Sequence, residues 1–256
     1  MTEEYNTKFY TNVVCLGNYI FERGIEDGFP FDEKHEFKPT LYIPTTTKTD
    51  WKTLEGDPVG PVQWGTIKET REAMKKYEGV QNMQIYGHTN YNYSYIAETY
   101  PDQVDYNFEH LKIMFLDIEV GSEHGFPNPE NAQEEVTAIT VKINDDIQVW
   151  GCSEFKNGQE NITYNKCGDE RQLLEQFVMY WQQNCPHVIT GWNTKTFDTP
   201  YLVNRIRNIL SEAWVKKLSP WGFVKEQKIF GMGGREVQTY EIYGVSEIDY
   251  MDAYKK

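Results

Sequence analysis

Apolar and polar positions alternate through much of the first forty-odd residues, where KFYTNVVCLG and YIFERGI flank Gly17-Asn18 and FKPTLYIP follows. A period of two predicts strands, and the Gly-Asn pair predicts a tight turn between the first two. Beyond the GDPVGP punctuation, TIKETREAMKKYEGV consists of good helix formers and stops at Gly79, and a short strand-like NMQIYG comes next. This part reads as a small, β-rich α+β module. The Tyr- and Asn-rich segment from Tyr91 to Asn107 reads as a boundary or as helix plus loop, so the expected domains are 1–107 and 108–256.

From Leu111 the pattern changes to a first core strand, LKIMFLDIEV, followed by EEVTAITVKI and DIQVWGC around an Asn144-Asp145-Asp146 turn, which predicts a hairpin. A helix is expected to open at Asp169, with Gln172 three residues on in a capping-box-like start and Leu173, Leu174, Phe177, Val178 and Trp181 as its apolar stripe. HVITGWN supplies another buried strand. Thr199 and Pro200 then start a helix that buries Leu202, Ile206, Ile209 and Leu210. FVKEQKIF and REVQTYEIYG flank GMGG as strand, turn and strand. Strands, helix, strand and helix in this order predict an α/β layer, and an RNase H-like sheet fits it.

Composition narrows the class without naming a function. The 256 residues are 39% hydrophobic and 15% aromatic, enough for real cores. No apolar run reaches the roughly 18 residues needed to span a bilayer, and MTEEYNTKFY has no signal-peptide pattern, so a non-exported chain without membrane partner is expected. Cys15, Cys152, Cys167 and Cys185 lack CxxC spacing, which points to reduced thiols in a cytoplasm-like compartment. The net charge of −14 argues against a stand-alone nucleic-acid binder unless metal ions or a basic partner bring the phosphates in.

Asp117 and Glu119 change that picture. Residues i and i+2 on a strand share a face, and the Ile113-Met114-Phe115-Leu116 run before them marks the strand as buried. Two carboxylates held together there repel and want cations, and their hard oxygens suit Mg²⁺ or Mn²⁺. The bland alternative is a strand end with two solvated acids. A second segment, GWNTKTFDTPYL, ends a strand and starts a helix beside Asp198, with Asn193 and Phe197 before it. Alone, Asp198 could be only a helix-start residue; the pair of segments is far more specific than either.

FLDIEV and GWNTKTFD resemble the first and second exonuclease motifs of family B DNA polymerases. YIFERGI, HGFPNPENA, LLEQFVMYWQQ, NRIRNIL, KKLSP and EIDYMDAYKK extend the resemblance to the start of such polymerases from T-even-like phages. The resemblance implies an N-terminal domain, and most of an RNase H-like 3′-5′ exonuclease domain that proofreads during replication in the host-cell cytoplasm. It implies two metal ions. Asp117 would bridge both, Glu119 would hold the one that activates water, and Asp198 would serve the one beside the leaving 3′ oxygen. Asn193 and Phe197 would support the bound strand. Phe126, in HGFP, resembles an aromatic that stacks on the frayed end of primer-template DNA, or is a loop aromatic packed on the core. Arg235, after GMGG, resembles part of a hairpin that moves the primer end, or belongs to an ordinary hairpin.

The family's third motif, Y-x-x-x-D, has no match: Tyr243 is followed by Glu247 and Tyr250 by Tyr254, while Asp249 and Asp252 read as structural. The polymerase acids are absent too. The expectation is a weak or inactive nuclease in isolation, needing a C-terminal polymerase segment on the same or a second chain, with exposed apolar surface where that segment belongs. Two rivals stand: an independent DEDD-type exonuclease, and a nucleic-acid-binding or assembly module with a vestigial site. No GxSxG, P-loop or HExxH motif suggests another chemistry.

Overall fold

A computed structural model describes residues 8–254 except 82, 103, 124, 157, 231–233 and 235. The chain divides into two compact units, residues 1–106 and 107–256.

In the first unit β1 (Lys8–Leu16), β2 (Tyr19–Glu26) and β3 (Phe29–Glu36) form an antiparallel sheet, turning between β1 and β2 at Gly17, whose φ of 63° favours glycine. The sequence pattern did not show β3. Its face is largely exposed, so its eight residues carry no apolar alternation and it is held by backbone pairing. The strand expected over FKPTLYIP shortens to β4 (Leu41–Pro44), which pairs with β5 (Val59–Val62) inside the supposed punctuation. Then α1 (Ile67–Tyr77) begins at a full capping box, Thr66 and Glu69 satisfying each other's backbone N–H groups. Among the described residues of NMQIYG no strand forms; Tyr86 bridges Tyr42, with N–O distances of 2.8 and 2.9 Å. The Tyr-rich segment contains α2 (Tyr91–Thr99). Ile20, Phe37, Ile67, Tyr91 and Tyr95 form the core. Within it the fully buried Glu22 accepts hydrogen bonds from the hydroxyls of Tyr95, at 2.6 Å, and Tyr100.

The second unit is built on one six-stranded sheet. Its strands are β6 (Ile113–Val120), β7 (Val136–Ile143), β8 (Asp146–Gly151), β9 (Ile162–Lys166), β10 (Val188–Gly191) and, late in the chain, β13 (Ser246–Asp249). The order is β13-β10-β6-β7-β8-β9; β6, β7 and β8 run antiparallel, whereas β10 and β13 lie parallel to β6 and to each other. Two helices, α3 (Glu170–Gln183) and α4 (Asp198–Ile209), bury Leu173, Leu174, Phe177, Val178, Trp181, Leu202 and Ile206 against Met114, Leu116, Ile118, Ile139, Val141 and Ile189. Asp169 caps α3, accepting from Gln172 N–H at 2.8 Å; the Gln172 side chain turns instead to Gly168 N–H at 2.6 Å. After α4 come α5 (Glu212–Val215) and the antiparallel pair β11 (Val224–Phe230) and β12 (Glu236–Ile242); α6 (Tyr250–Tyr254) follows β13.

Both helices pack on one face of the sheet. On the other, Phe115, Asp117 and Glu119 of β6 and Ile248 of β13 are exposed. This corrects the expectation of a buried strand: Met114, Leu116 and Ile118 alternate with the exposed set, so the apolar run ahead of Asp117 is a half-buried strand with one aromatic, Phe115, on its open face. No helix among the described residues is long and apolar enough to cross a membrane.

Candidate active site

Two neighbouring parallel strands bring the carboxylates together. β6 carries Asp117 and Glu119 on its open face, and β10 lies next to it with Thr190 paired to Phe115. Gly191 ends β10 because nothing larger fits: a Cβ there would stand 2.5 Å from the Leu116 carbonyl oxygen and 2.5 Å from Thr194 Cγ2. Gly191→Ala is therefore expected to destabilise the chain by about 1–3 kcal/mol, because one of the partners is backbone and cannot step aside. Urea denaturation with wild type alongside measures it.

Past Gly191 the chain turns sharply. Asn193 adopts φ 63°, a left-handed conformation that asparagine tolerates better than most residues, and its carbonyl accepts from Thr196 N–H (3.2 Å) and Phe197 N–H (3.0 Å). The Thr196 hydroxyl also bonds the Asn193 side chain. This turn delivers Asp198 as the first residue of α4, one residue before the Thr199-Pro200 start expected from sequence. Pro200 sits within the first helical turn, where no intrahelical donor is needed.

Asp198 is 4% exposed, and its Oδ1 accepts from Ile118 N–H at 3.1 Å, tying the helix start to the strand between Asp117 and Glu119. Burial first, then the neighbouring Asp117 charge, pushes its carboxyl up to about 7. A carboxyl that resists ionisation beside a second acid is short of positive charge, and hard divalent cations supply it. Asp117, Glu119 and Asp198 thus fit metal ions by donor chemistry. Their oxygens are not gathered within 4.8 Å of one another; among the described residues the trio so gathered is Glu22, Glu33 and His35 in the first unit. There His35 Nε2 lies 3.1 Å from Glu22 and 3.4 Å from Glu33.

The raised carboxyl gives a pH prediction with a definite sign. Between its ordinary 3.8 and about 7 the folded chain holds a proton that the unfolded chain has released. Stability therefore falls as pH rises through that window and levels above it. Asp198→Asn, which keeps the acceptor for Ile118, is expected to stabilise the metal-free chain at pH 8 by about 1–3 kcal/mol and to leave it unchanged near pH 3.5. Thermal melts at the two pH values test this; Mg²⁺ should raise the melting temperature of wild type at pH 8 more than that of the variant.

The other sequence candidates separate. Phe126 is 90% exposed, its ring centroid 5.9 Å from that of Phe197, which stacks at 5.7 Å on Tyr201. It extends an aromatic ladder rather than packing into the core. Arg235 and the GMG tip of the β11–β12 hairpin lie outside the described residues. Sequence reasoning read Asp249 as structural but did not connect it to Asp198, and it gave Glu247 no role. Asp249, 5% exposed, accepts from Asn193 N–H at 2.9 Å, Lys195 N–H at 3.2 Å and Met251 N–H at 2.9 Å. Glu247 accepts from the Thr199 hydroxyl at 2.7 Å, and burial pushes its carboxyl up to about 7. Their i, i+2 spacing on β13 was the available signal.

With the site described, its class follows from comparison: residues 59–256 match the model of the family B DNA polymerase exonuclease domain, and the chain belongs to that family. It is 31% identical over 277 residues to the DNA-directed DNA polymerase of Enterobacteria phage T4, covering 97% of this chain and 30% of that protein. It is 30% identical over 280 residues to the corresponding polymerase of Escherichia phage RB69, covering 97% and 31%. A DNA polymerase of Archaeoglobus fulgidus is 34% identical over 98 residues, 38% of this chain and 10% of that one. The chain spans about 30% of the length of the phage relatives.

Proposed function

We propose that this chain is the N-terminal and proofreading part of a phage-type family B DNA polymerase, removing the 3′-terminal nucleotide of a frayed primer in the 3′-5′ direction. The observation that carries this is Asp198, buried on the Ile118 N–H next to Asp117, at the meeting of two parallel strands. The sheet, antiparallel β6, β7 and β8 continued by parallel β10 and β13 on one side and by β9, parallel to β8, on the other, supports an RNase H-like reading of the unit. The division at residues 106 and 107 supports reading the first unit as the polymerase's N-terminal domain.

Asp117, Glu119 and Asp198 would hold two Mg²⁺ or Mn²⁺ ions, which when bound lower the pKa of an attacking water and stabilise charge on the entering and leaving oxygens. The chain's own residues do the positioning. Ile118 N–H fixes one Asp198 oxygen, and Asp117 and Glu119 keep their oxygens on the open face of β6. Phe126 offers a ring for the terminal base, and Asn193 and Phe197 shape the turn beneath the strand. Because the chain spans under a third of its phage relatives, the fourth carboxylate and the polymerising residues are assigned to the rest of the polymerase. The exonuclease is proposed to act in the host-cell cytoplasm with that remainder as partner, and to be weak without it.

The test is Mg²⁺-dependent shortening of a 5′-labelled single-stranded oligonucleotide, by this chain alone and with the rest of the polymerase. Stepwise loss from the 3′ end in the mixture supports the proposal. No cleavage by a folded, DNA-bound mixture sinks it in favour of a binding module, and full activity of the isolated chain favours an independent DEDD-type exonuclease. Phe126→Ala should weaken single-strand binding by about 1–3 kcal/mol without Mg²⁺, as fluorescence anisotropy would show.

A further inference from the structure

We infer that Asp249 and Thr239 are positioning residues for Asp198, acting through the peptide of Lys195; the inference rests on the reading of Asp198 as a working acid of the site. The chain must reverse between Gly191, at the end of β10, and Asp198, at the start of α4, while keeping one Asp198 oxygen on Ile118 N–H. The hydrogen bonds inside the turn, from Thr196 N–H and Phe197 N–H to the Asn193 carbonyl and from the Thr196 hydroxyl to the Asn193 side chain, leave out Lys195. Asn193 is in the left-handed region, and Phe197, the residue before Asp198, makes no side-chain cap. The Lys195 peptide is instead held from outside at both ends. Its N–H donates to Asp249 Oδ2 at 3.2 Å, and its carbonyl accepts the Thr239 hydroxyl at 2.6 Å. Asp249 Oδ1 takes Asn193 N–H as well. Both clamping side chains are buried, Thr239 completely, and they come from different strands, β12 and β13. A turn gripped at two successive odd positions from two strands cannot slide, and Asp198 inherits its place. Displacing a reacting group by about 1 Å can cost on the order of 100-fold in rate.

Asp249 has a simpler duty too, since it accepts Met251 N–H at the start of α6. The two roles leave different marks. A cap alone predicts disturbance confined to α6; positioning predicts it at Ile118, whose N–H reports directly on Asp198.

Amide hydrogen exchange on the full chain, in wild type, Asp249→Asn and Thr239→Val, separates them. Asp249→Asn turns a donor toward Lys195 N–H, and Thr239→Val removes one hydroxyl at near-constant volume, so the second variant decides the matter where the first fails to fold. Exchange at Ile118 is expected to accelerate by about 10-fold or more in both, with Met114 and Leu116 unchanged. With the rest of the polymerase, kcat for 3′-terminal release should fall about 10-fold with KM within about twofold of wild type. Wild-type exchange at Ile118 in either folded variant, or a uniform rise along β6, overturns the inference. An inactive wild-type mixture would sink the nuclease reading while the exchange result still reported on the clamp.

Discussion

Asp117→Ala is expected to cut Mg²⁺-dependent 3′-5′ degradation, assayed with the rest of the polymerase present, by at least on the order of 10²–10³-fold while the chain stays folded. Asp117 contributes nothing to the core: it lies on the open face of β6, so its loss leaves no cavity. What it supplies is charge. Its carboxylate helps hold the Asp198 carboxyl up to about 7, and the two acids together create the demand for cations. With alanine there, Asp198 moves back toward the ordinary carboxylate range, and a divalent ion held at the site would lose an oxygen ligand. Single-turnover rates with unchanged far-ultraviolet circular dichroism would make the case, and residual activity within about tenfold of wild type would remove Asp117 from the mechanism.

The largest loss of stability is expected from Glu170→Ala, about 3–5 kcal/mol, because it strands a buried guanidinium. Glu170 opens α3, and its carboxylate takes Arg205 of α4 in a two-pronged pair, Nε at 2.7 Å and Nη2 at 2.6 Å, while also accepting Val136 N–H at 2.8 Å. Arg205 Nη1 reaches the carbonyls of Ala132, at 3.0 Å, and Gln133, at 2.8 Å. Two helices and the entry to β7 are thus tied at one point, with both side chains about nine-tenths buried. Replacing Glu170 alone removes the counter-charge and an acceptor at once. Chemical denaturation checks the figure, and a double change of Glu170 and Arg205 to Met should recover much of the loss; a single-variant cost under about 1 kcal/mol would show that water reaches the arginine.

The sequence made the second unit's framework readable wherever burial writes a period. β6 alternates at Met114, Leu116 and Ile118, and α3 repeats Leu173, Leu174, Phe177, Val178 and Trp181, so both stood out. β3 and β9 did not, because neither has a fully buried residue and both are held by ladders of backbone bonds that any sequence can make. NMQIYG shows the converse error: apolar residues in alternation with no partner strand to satisfy them form no ladder. The acids of the site were legible as residue types at characteristic spacing. Their burial was not, since the exposed Phe115 and the buried Leu116 look alike in a string. The clamp on Lys195 left still less trace, because the groups that Asp249 and Thr239 hold are peptide atoms, identical in every residue.

The strand order has a kinetic meaning. β6, β7 and β8 are consecutive in sequence, whereas β10 reaches β6 across a separation that puts Lys112 and His187, 75 residues apart, in hydrogen-bond contact at 2.9 Å. Loops of that length close late, since their entropy must be met before the contact rewards it. Asp117 and Glu119 are accordingly expected to stand on a finished meander well before Asp198 arrives. A chain emerging from the ribosome would show two of its three site acids early and place the third, Asp198, only after β10 and α4 had been synthesised. On the proposed reading, the cutting of phosphodiester bonds would then be a late property for the domain to gain, and a copy misfolded before that stage would lack Asp198 at the site.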